Sequence, residues 1–267
     1  MAYERSSVEV VLNAMALLVV LVVNTLANVL PIGGQTTGEV SDNFPSTFTP
    51  AGYVFSIWGF IYLLLLGFVV WQALPRQRSS AVVHSLSKPF LLTCLANSSW
   101  IFAWHYDQVV LSFVLMLVLL VTLIRIYQLI GGAPQTDLSY WFIRLPFCVY
   151  IGWITVATLA NFSALQLHFG WQDMPIGEAQ QTVIKIAVAG TVAVLMLYFK
   201  RDVAFVLVVI WASIGIAVSN EAFPLVQGAA AAIALVTFSL IAIERVLVVL
   251  GLRNTPGAHR AESERPC

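Results

Sequence analysis

The stretch TFTPAGYVFSIWGFIY, residues 47–62, begins with hydroxyl and turn-forming residues and passes at Pro50 into apolar sequence that carries no charge as far as Arg76. Proline suits the first turn of a helix, where its missing N–H has no intrahelical partner to lose. Phe55, Trp58 and Tyr62 follow at spacings of three and four, which places them on one helical face. The stretch reads as a helix entering an apolar medium from a loop. Thr47 to Pro50 is its hinge, Phe48, Pro50 and Tyr53 stand at the rim, and the aromatic stripe points inward.

The rest of the chain sets that medium. It has 267 residues, 60% hydrophobic and only 10% charged, with a mean hydropathy of +0.88, whereas soluble domains carry about 25% charged residues. The composition is that of an all-α integral membrane protein. Apolar runs bounded by charge, proline or glycine fall at 9–30, 51–74, 87–105, 109–130, 143–167, 182–199, 203–220 and 224–249. This predicts about eight transmembrane helices, each long enough for roughly 30 Å of hydrocarbon. The first run is longer than a signal-peptide core and has no small-residue cleavage site before Pro31, so it reads as a span.

Formal net charge is zero, and no basic surface argues for nucleic acid. The placement of charge says more. Arg5, Arg76, Arg78, Lys88, Arg125, Arg144, Lys200, Arg201, Arg245, Arg253, Arg260 and Arg265 fall on one side of the eight-span arrangement, and only Lys185 on the other. The positive-inside rule then puts both termini in the cytoplasm. The loop from Gly33 to Thr49 is exoplasmic and carries Glu39 and Asp42, with Phe44 and Phe48, as a candidate lid. The polar tail after Leu252 reads as disordered.

Polar residues inside spans are costly unless they face a bundle interior or a cavity. Asparagine recurs: Asn24 and Asn28 share a face of the first helix, and Asn97, Asn161 and Asn220 follow in later ones. Counted from the loop ends, Asn24, Trp58, Asn97, Trp100 and Asn161 lie roughly 8 to 15 Å below the outer surface. Asn97 and Trp100 are one turn apart, and Trp153, Ala157 and Asn161 line one face of the fifth span. Trp71, Trp104, Trp141 and Trp171 fit the interfacial belt, whereas Trp58, Tyr62 and Trp153 lie deeper than that belt reaches. Deep rings beside amides suit a flat, largely apolar ligand with a few polar atoms.

Other chemistry is sparse. Cys94, Cys148 and Cys267 have no metal-ligand spacing, His105 and His168 sit at helix ends, and no Ser/His/Asp set is present, so no catalytic or metal-binding residue is assigned. Lys185 does not lie at the midplane depth of a Schiff-base lysine. Leu195, Tyr198 and Lys200 fit a loose cholesterol pattern. Glu244 and Arg245 read as snorkelling anchors.

The segment TPAGYVFSIWGFIYLLLLG resembles the start of the second helix of the TspO/MBR family, the translocator or tryptophan-rich sensory proteins, with Pro50, Phe55, Trp58 and Tyr62 matching. Asn97 and Trp100 match the family's third-helix motif, and Trp153, Ala157 and Asn161 its fifth, in a segment similar to the longer bacterial branch. Ala51, Tyr53, Ile101 and Pro146 depart from the family pattern around the pocket rim. The resemblance covers roughly residues 9–167 and implies a five-helix core over 1–170; the apolar runs beyond it add three transmembrane helices over 171–252 with no counterpart in that core, and the polar tail is 253–267. The resemblance further implies a bacterial plasma-membrane receptor or sensor that takes a porphyrin, heme, other tetrapyrrole or sterol-like molecule among Phe55, Trp58, Tyr62, Asn97, Trp100, Trp153, Ala157 and Asn161. No cofactor is required for that. The partners expected are the lipid bilayer, a small hydrophobic ligand and a second copy in a homodimer. A transporter and a porphyrin-degrading enzyme are the alternative readings.

Overall fold

The computed structural model describes residues 7–30, 32–131, 136–171 and 175–252. Arg5, Cys267 and the tail read as disordered, with its arginines, lie outside them. Among the described residues there is no strand and there are eight long helices: α1 Ser7–Val29, α2 Ile57–Ala73, α3 Ala81–His105, α4 Val109–Gly131, α5 Leu145–His168, α6 Glu178–Lys200, α7 Val203–Ser219 and α8 Pro224–Val249. Local chemistry marks their starts. Ser80 caps α3 by accepting from the Val83 N–H, Asp202 caps α7 by accepting from the Phe205 N–H at 3.1 Å, and prolines occupy the first turns of α5 and α8.

Packing arranges the helices in two groups. α1 packs on α2 and α3, α3 on α4, α4 on α5, and α5 on α2, which closes a ring of five. The last three pack on one another, and α7 lies along α5. Gly152 permits that contact: a Cβ there would stand 3.1 Å from the Val208 Cβ and 3.2 Å from the Phe205 carbonyl oxygen. The outward faces are apolar, as Val11, Met15 and Val22 of α1 and Leu235, Phe238 and Val246 of α8 illustrate. Six of the described helices are long and apolar enough to cross a membrane; α7, at 17 residues, is apolar but shorter, and α3 carries more polar residues. The chain is an integral membrane protein.

Three local features differ from the sequence reading. Pro50 does not begin the second helix: Gly52–Ser56 forms a 3-10 turn and the α-helix starts at Ile57. The cause is tertiary, since the Ala51 N–H donates to the Gly215 carbonyl of α7 at 3.1 Å. α3 begins at Ala81, six residues before the predicted span, and Pro89 sits inside it. The long loop contains a helix of its own, Thr37–Asp42, started by a capping box between Thr36 and Glu39.

Candidate ligand-binding cavity

The motif residues of α2, α3 and α5 meet inside the ring at the long-loop end. The Trp58 ring lies 5.9 Å from Trp100, 6.1 Å from Trp153, 6.0 Å from Tyr150 and 5.6 Å from Tyr62. Phe55 meets Trp153 edge-on at 6.0 Å, and Trp104 stacks on Trp100 at 6.0 Å. These spacings are those of favourable aromatic pairs. The rings wall a cavity completed by Ser41, Phe44, Thr49 and Pro50 above and by Ala157, Ala160, Asn161 and Ala164 of α5 at the side. Its free space is about 30 Å³, the room of roughly one water molecule.

Its polar groups are few and divided. Asn161 Oδ1 accepts from the Trp100 indole N–H at 3.2 Å and from the Ser112 hydroxyl at 3.3 Å, while its amide donates to the Ala157 carbonyl at 3.2 Å. The Trp153 indole N–H has no acceptor, although the side chain is only 2% exposed. A buried unpaired donor costs about 1–3 kcal/mol. Asn24, Asn97 and Tyr150 form a chain of their own: Asn24 donates to Asn97 at 2.9 Å, and Asn97 donates to the Tyr150 hydroxyl at 3.3 Å.

The loop covers the cavity with two differently anchored halves. Its first half is stapled to α3. His105 Nδ1 donates to the Ile32 carbonyl at 2.9 Å, its Nε2 faces the Thr37 hydroxyl at 3.1 Å, Trp104 donates to the Thr37 carbonyl at 3.3 Å, and Phe44 packs on Trp104 at 5.3 Å. Within this half the bond from the Thr36 N–H holds the Glu39 carboxyl below the usual carboxylate range. The second half is held by α6 and α7. Thr47 donates its N–H to Glu178 at 2.8 Å, meets the Thr182 hydroxyl at 2.7 Å and accepts from Asn220 at 2.9 Å. Ser219 donates to the Thr49 carbonyl at 2.8 Å, and Trp211 to that of Val54 at 3.2 Å.

Phe55, Trp58, Trp100, Trp153, Ala157, Asn161 and Pro50 therefore share one cavity. Tyr62 lies instead in a groove between α1 and α2, about 370 Å³ in volume, with Asn24, Asn28, Ser56 and Gly59, and Phe55 and Trp58 form the wall common to both spaces. Asn97 lies in the Asn24 and Tyr150 chain. Phe48 is fully buried with the Lys185 ammonium 5.7 Å from its ring, and Tyr53 packs edge-on against Trp211 at 5.2 Å. Sequence reasoning missed Ser112, Trp104 and the small residues Ala160 and Ala164. The alanines were visible as a continuation of the Ala157 face, whereas Trp104 looked interfacial because the loop folded over it is not visible from its depth.

Buried charge elsewhere is tied down locally. Lys185 donates to Ser163 at 2.6 Å and Gln166 at 3.0 Å. At the other end of the bundle Asp202 accepts from the Cys148 thiol at 2.7 Å and the Tyr127 hydroxyl at 2.8 Å, with Arg144 at 3.9 Å. Glu244, read as a snorkelling anchor, is buried and faces Arg201 at 3.9 Å. No group of three His, Cys, Asp or Glu able to hold a metal occurs among the described residues.

A family model described as TSPO-like protein matches residues 10–243. The match runs through the ring and on into α8. Searches of curated proteins and of solved structures each return no match.

Proposed function

The chain belongs to the TSPO-like protein family, and from that premise we propose that it is a membrane receptor or sensor for a flat, mostly apolar ligand held in the aromatic cavity. The observation that carries this reading is Trp153, whose side chain lines the cavity and whose buried indole N–H has no acceptor. A ligand acceptor atom there would satisfy it, and the rings of Trp58, Trp100 and Phe55 would take the ligand's faces. A porphyrin, another tetrapyrrole or a sterol-like molecule has that combination of ring area and edge acceptors. Ligand sites commonly hold about 300–1,000 Å³, so the cavity of about 30 Å³ represents a ligand-free state whose walls must spread for occupancy.

In this reading all eight long helices cross the bilayer, both termini are cytoplasmic and the long loop is exoplasmic. The arginine and lysine distribution supports that orientation. Asn161 fixes Trp100 and hence the cavity's shape. No resident cofactor is needed; a tetrapyrrole would be the ligand itself. The test is quenching of tryptophan fluorescence by protoporphyrin IX in nanodiscs. Trp153→Phe combined with Asn161→Ala should weaken binding at least about tenfold, the equivalent of one lost hydrogen bond of about 1.4 kcal/mol. Unchanged affinity in a variant of native melting temperature would remove the cavity assignment.

A further inference from the structure

Three observations concern how a ligand would reach the cavity. Ser41, Thr49 and Pro50 line the cavity on one side and, on the other, a solvent-facing basin of about 400 Å³ between the loop and the ends of α6 and α7. The wall between the two spaces is made by these loop residues. Next to that wall, Thr47 is bonded through its N–H, its hydroxyl and its carbonyl to Glu178, Thr182 and Asn220. These are bonds between side chains and an irregular segment, and Thr47, Glu178 and Asn220 line the adjoining basin, so water there can take over the bonds of the Thr47 N–H and carbonyl as they open. The boundary with the α1–α2 groove is different in kind. It is made by Phe55 and Trp58, and Trp58 is in contact with four other rings, none of which water can replace.

We propose that the seam between Thr47–Pro50 and the ends of α6 and α7 is the mouth of the cavity, with Thr47 as its latch and Thr182, Ser219 and Asn220 as positioning residues that set how fast it opens. The last three helices are thereby given a role: they form the fixed side of a door whose moving side is the second half of the loop. The first half, stapled to α3 by His105 and Trp104, stays with the ring. Gly215 brings α7 close enough to serve. A Cβ there would overlap the Val54 side chain and lie 3.2 Å from the Pro50 Cβ, so the helix backbone abuts the hinge directly. This proposal rests on the cavity reading above.

The experiment measures association and dissociation of protoporphyrin IX by stopped-flow tryptophan quenching, in nanodiscs of phosphatidylcholine and phosphatidylglycerol. Thr182→Val with Asn220→Ala should raise both rates by about fivefold or more while Kd stays within about twofold, the signature of a gate as opposed to a contact. The reverse is tested with Thr47→Cys and Thr182→Cys in a Cys267→Ser background. Oxidation after loading should slow dissociation at least about tenfold, and dithiothreitol should restore it. Gly59→Leu, which fills open space in the α1–α2 groove, should leave both rates unchanged. A cross-linked chain that exchanges ligand at the wild-type rate overturns the proposal, as does a Gly59→Leu chain that no longer exchanges it. Absence of quenching in the wild-type chain would remove the cavity reading and the mouth with it, whereas normal affinity with unaltered rates in the variants would remove the mouth alone.

Discussion

The same three helices build an aromatic cluster at two levels of the ring. α2, α3 and α5 contribute Trp58, Trp100 and Trp153 near the long loop, and Phe68, Phe90 and Phe147 toward the other end. The phenylalanines meet edge-on at 5.1 to 6.2 Å and are fully buried, with no polar atom to satisfy. The tryptophans are spaced similarly, yet one indole N–H is unpaired and the cluster borders free space. The same three-ring arrangement thus serves two ends: where the rings carry no hydrogen-bonding group the cluster can close completely, and where they do it leaves a demand that a ligand can meet.

The comparison breaks most visibly through truncation of the lower cluster. Phe147→Ala should cost about 3–5 kcal/mol of stability through lost burial and the cavity left behind, read as a lowered melting temperature. Protein that remains folded should bind protoporphyrin IX with wild-type affinity. A loss of affinity as large as that of the Trp153 and Asn161 variant would mean that the two levels are one unit. A smaller effect sharpens the contrast from above. Asn161→Ala removes the acceptor of the Trp100 indole, while Ser112 keeps the Val109 carbonyl, and should cost about 1–3 kcal/mol, with weakened binding, whereas Phe147→Ala separates the two effects.

The smallest effect concerns the cover that only the upper level has. The Glu39 carboxylate accepts from the Thr36 N–H at 2.7 Å, so its pKa is lower in the folded loop than in the unfolded chain. Its contribution is present above the ordinary carboxylate range and is lost as pH falls through the lowered value. Below about pH 4 the protection of the Thr37–Asp42 amides against hydrogen exchange, taken relative to the intrinsic rate at each pH, should fall while that of α2 and α5 around Phe68 and Phe147 stays high. Glu39→Gln should abolish this dependence; exchange that remains acid-sensitive in that variant would place the cause elsewhere in the loop.

Much of this architecture was legible in the sequence, for reasons specific to a bilayer. Long apolar runs mark helices directly, and the three- and four-residue spacing of Phe55 and Trp58, Asn97 and Trp100, and Trp153, Ala157 and Asn161 gives helical faces. Those spacings do not say which neighbour a face meets. Tyr62 follows Trp58 by one turn yet lies in the α1–α2 groove, and Asn97 precedes Trp100 by three residues yet pairs with Asn24. The second half of the loop was the least legible. Its partners Glu178, Thr182, Ser219 and Asn220 are more than 130 residues away in the chain, and all but Thr182 act on backbone groups, which leave no pattern of side chains to read. The start of α2 shifted for the same reason, because Gly215 of α7 takes the Ala51 N–H.

The most direct test is a proton–nitrogen spectrum of the tryptophan indoles in nanodiscs, titrated with protoporphyrin IX. The chain has eight tryptophans, and Trp153→Phe assigns the one that matters. The account predicts that the Trp153 indole signal moves to a hydrogen-bonded position and exchanges more slowly with solvent on binding, while Trp141 and Trp171, exposed at the perimeter, stay where they are. A Trp153 signal that remains in place while the perimeter signals shift would contradict it.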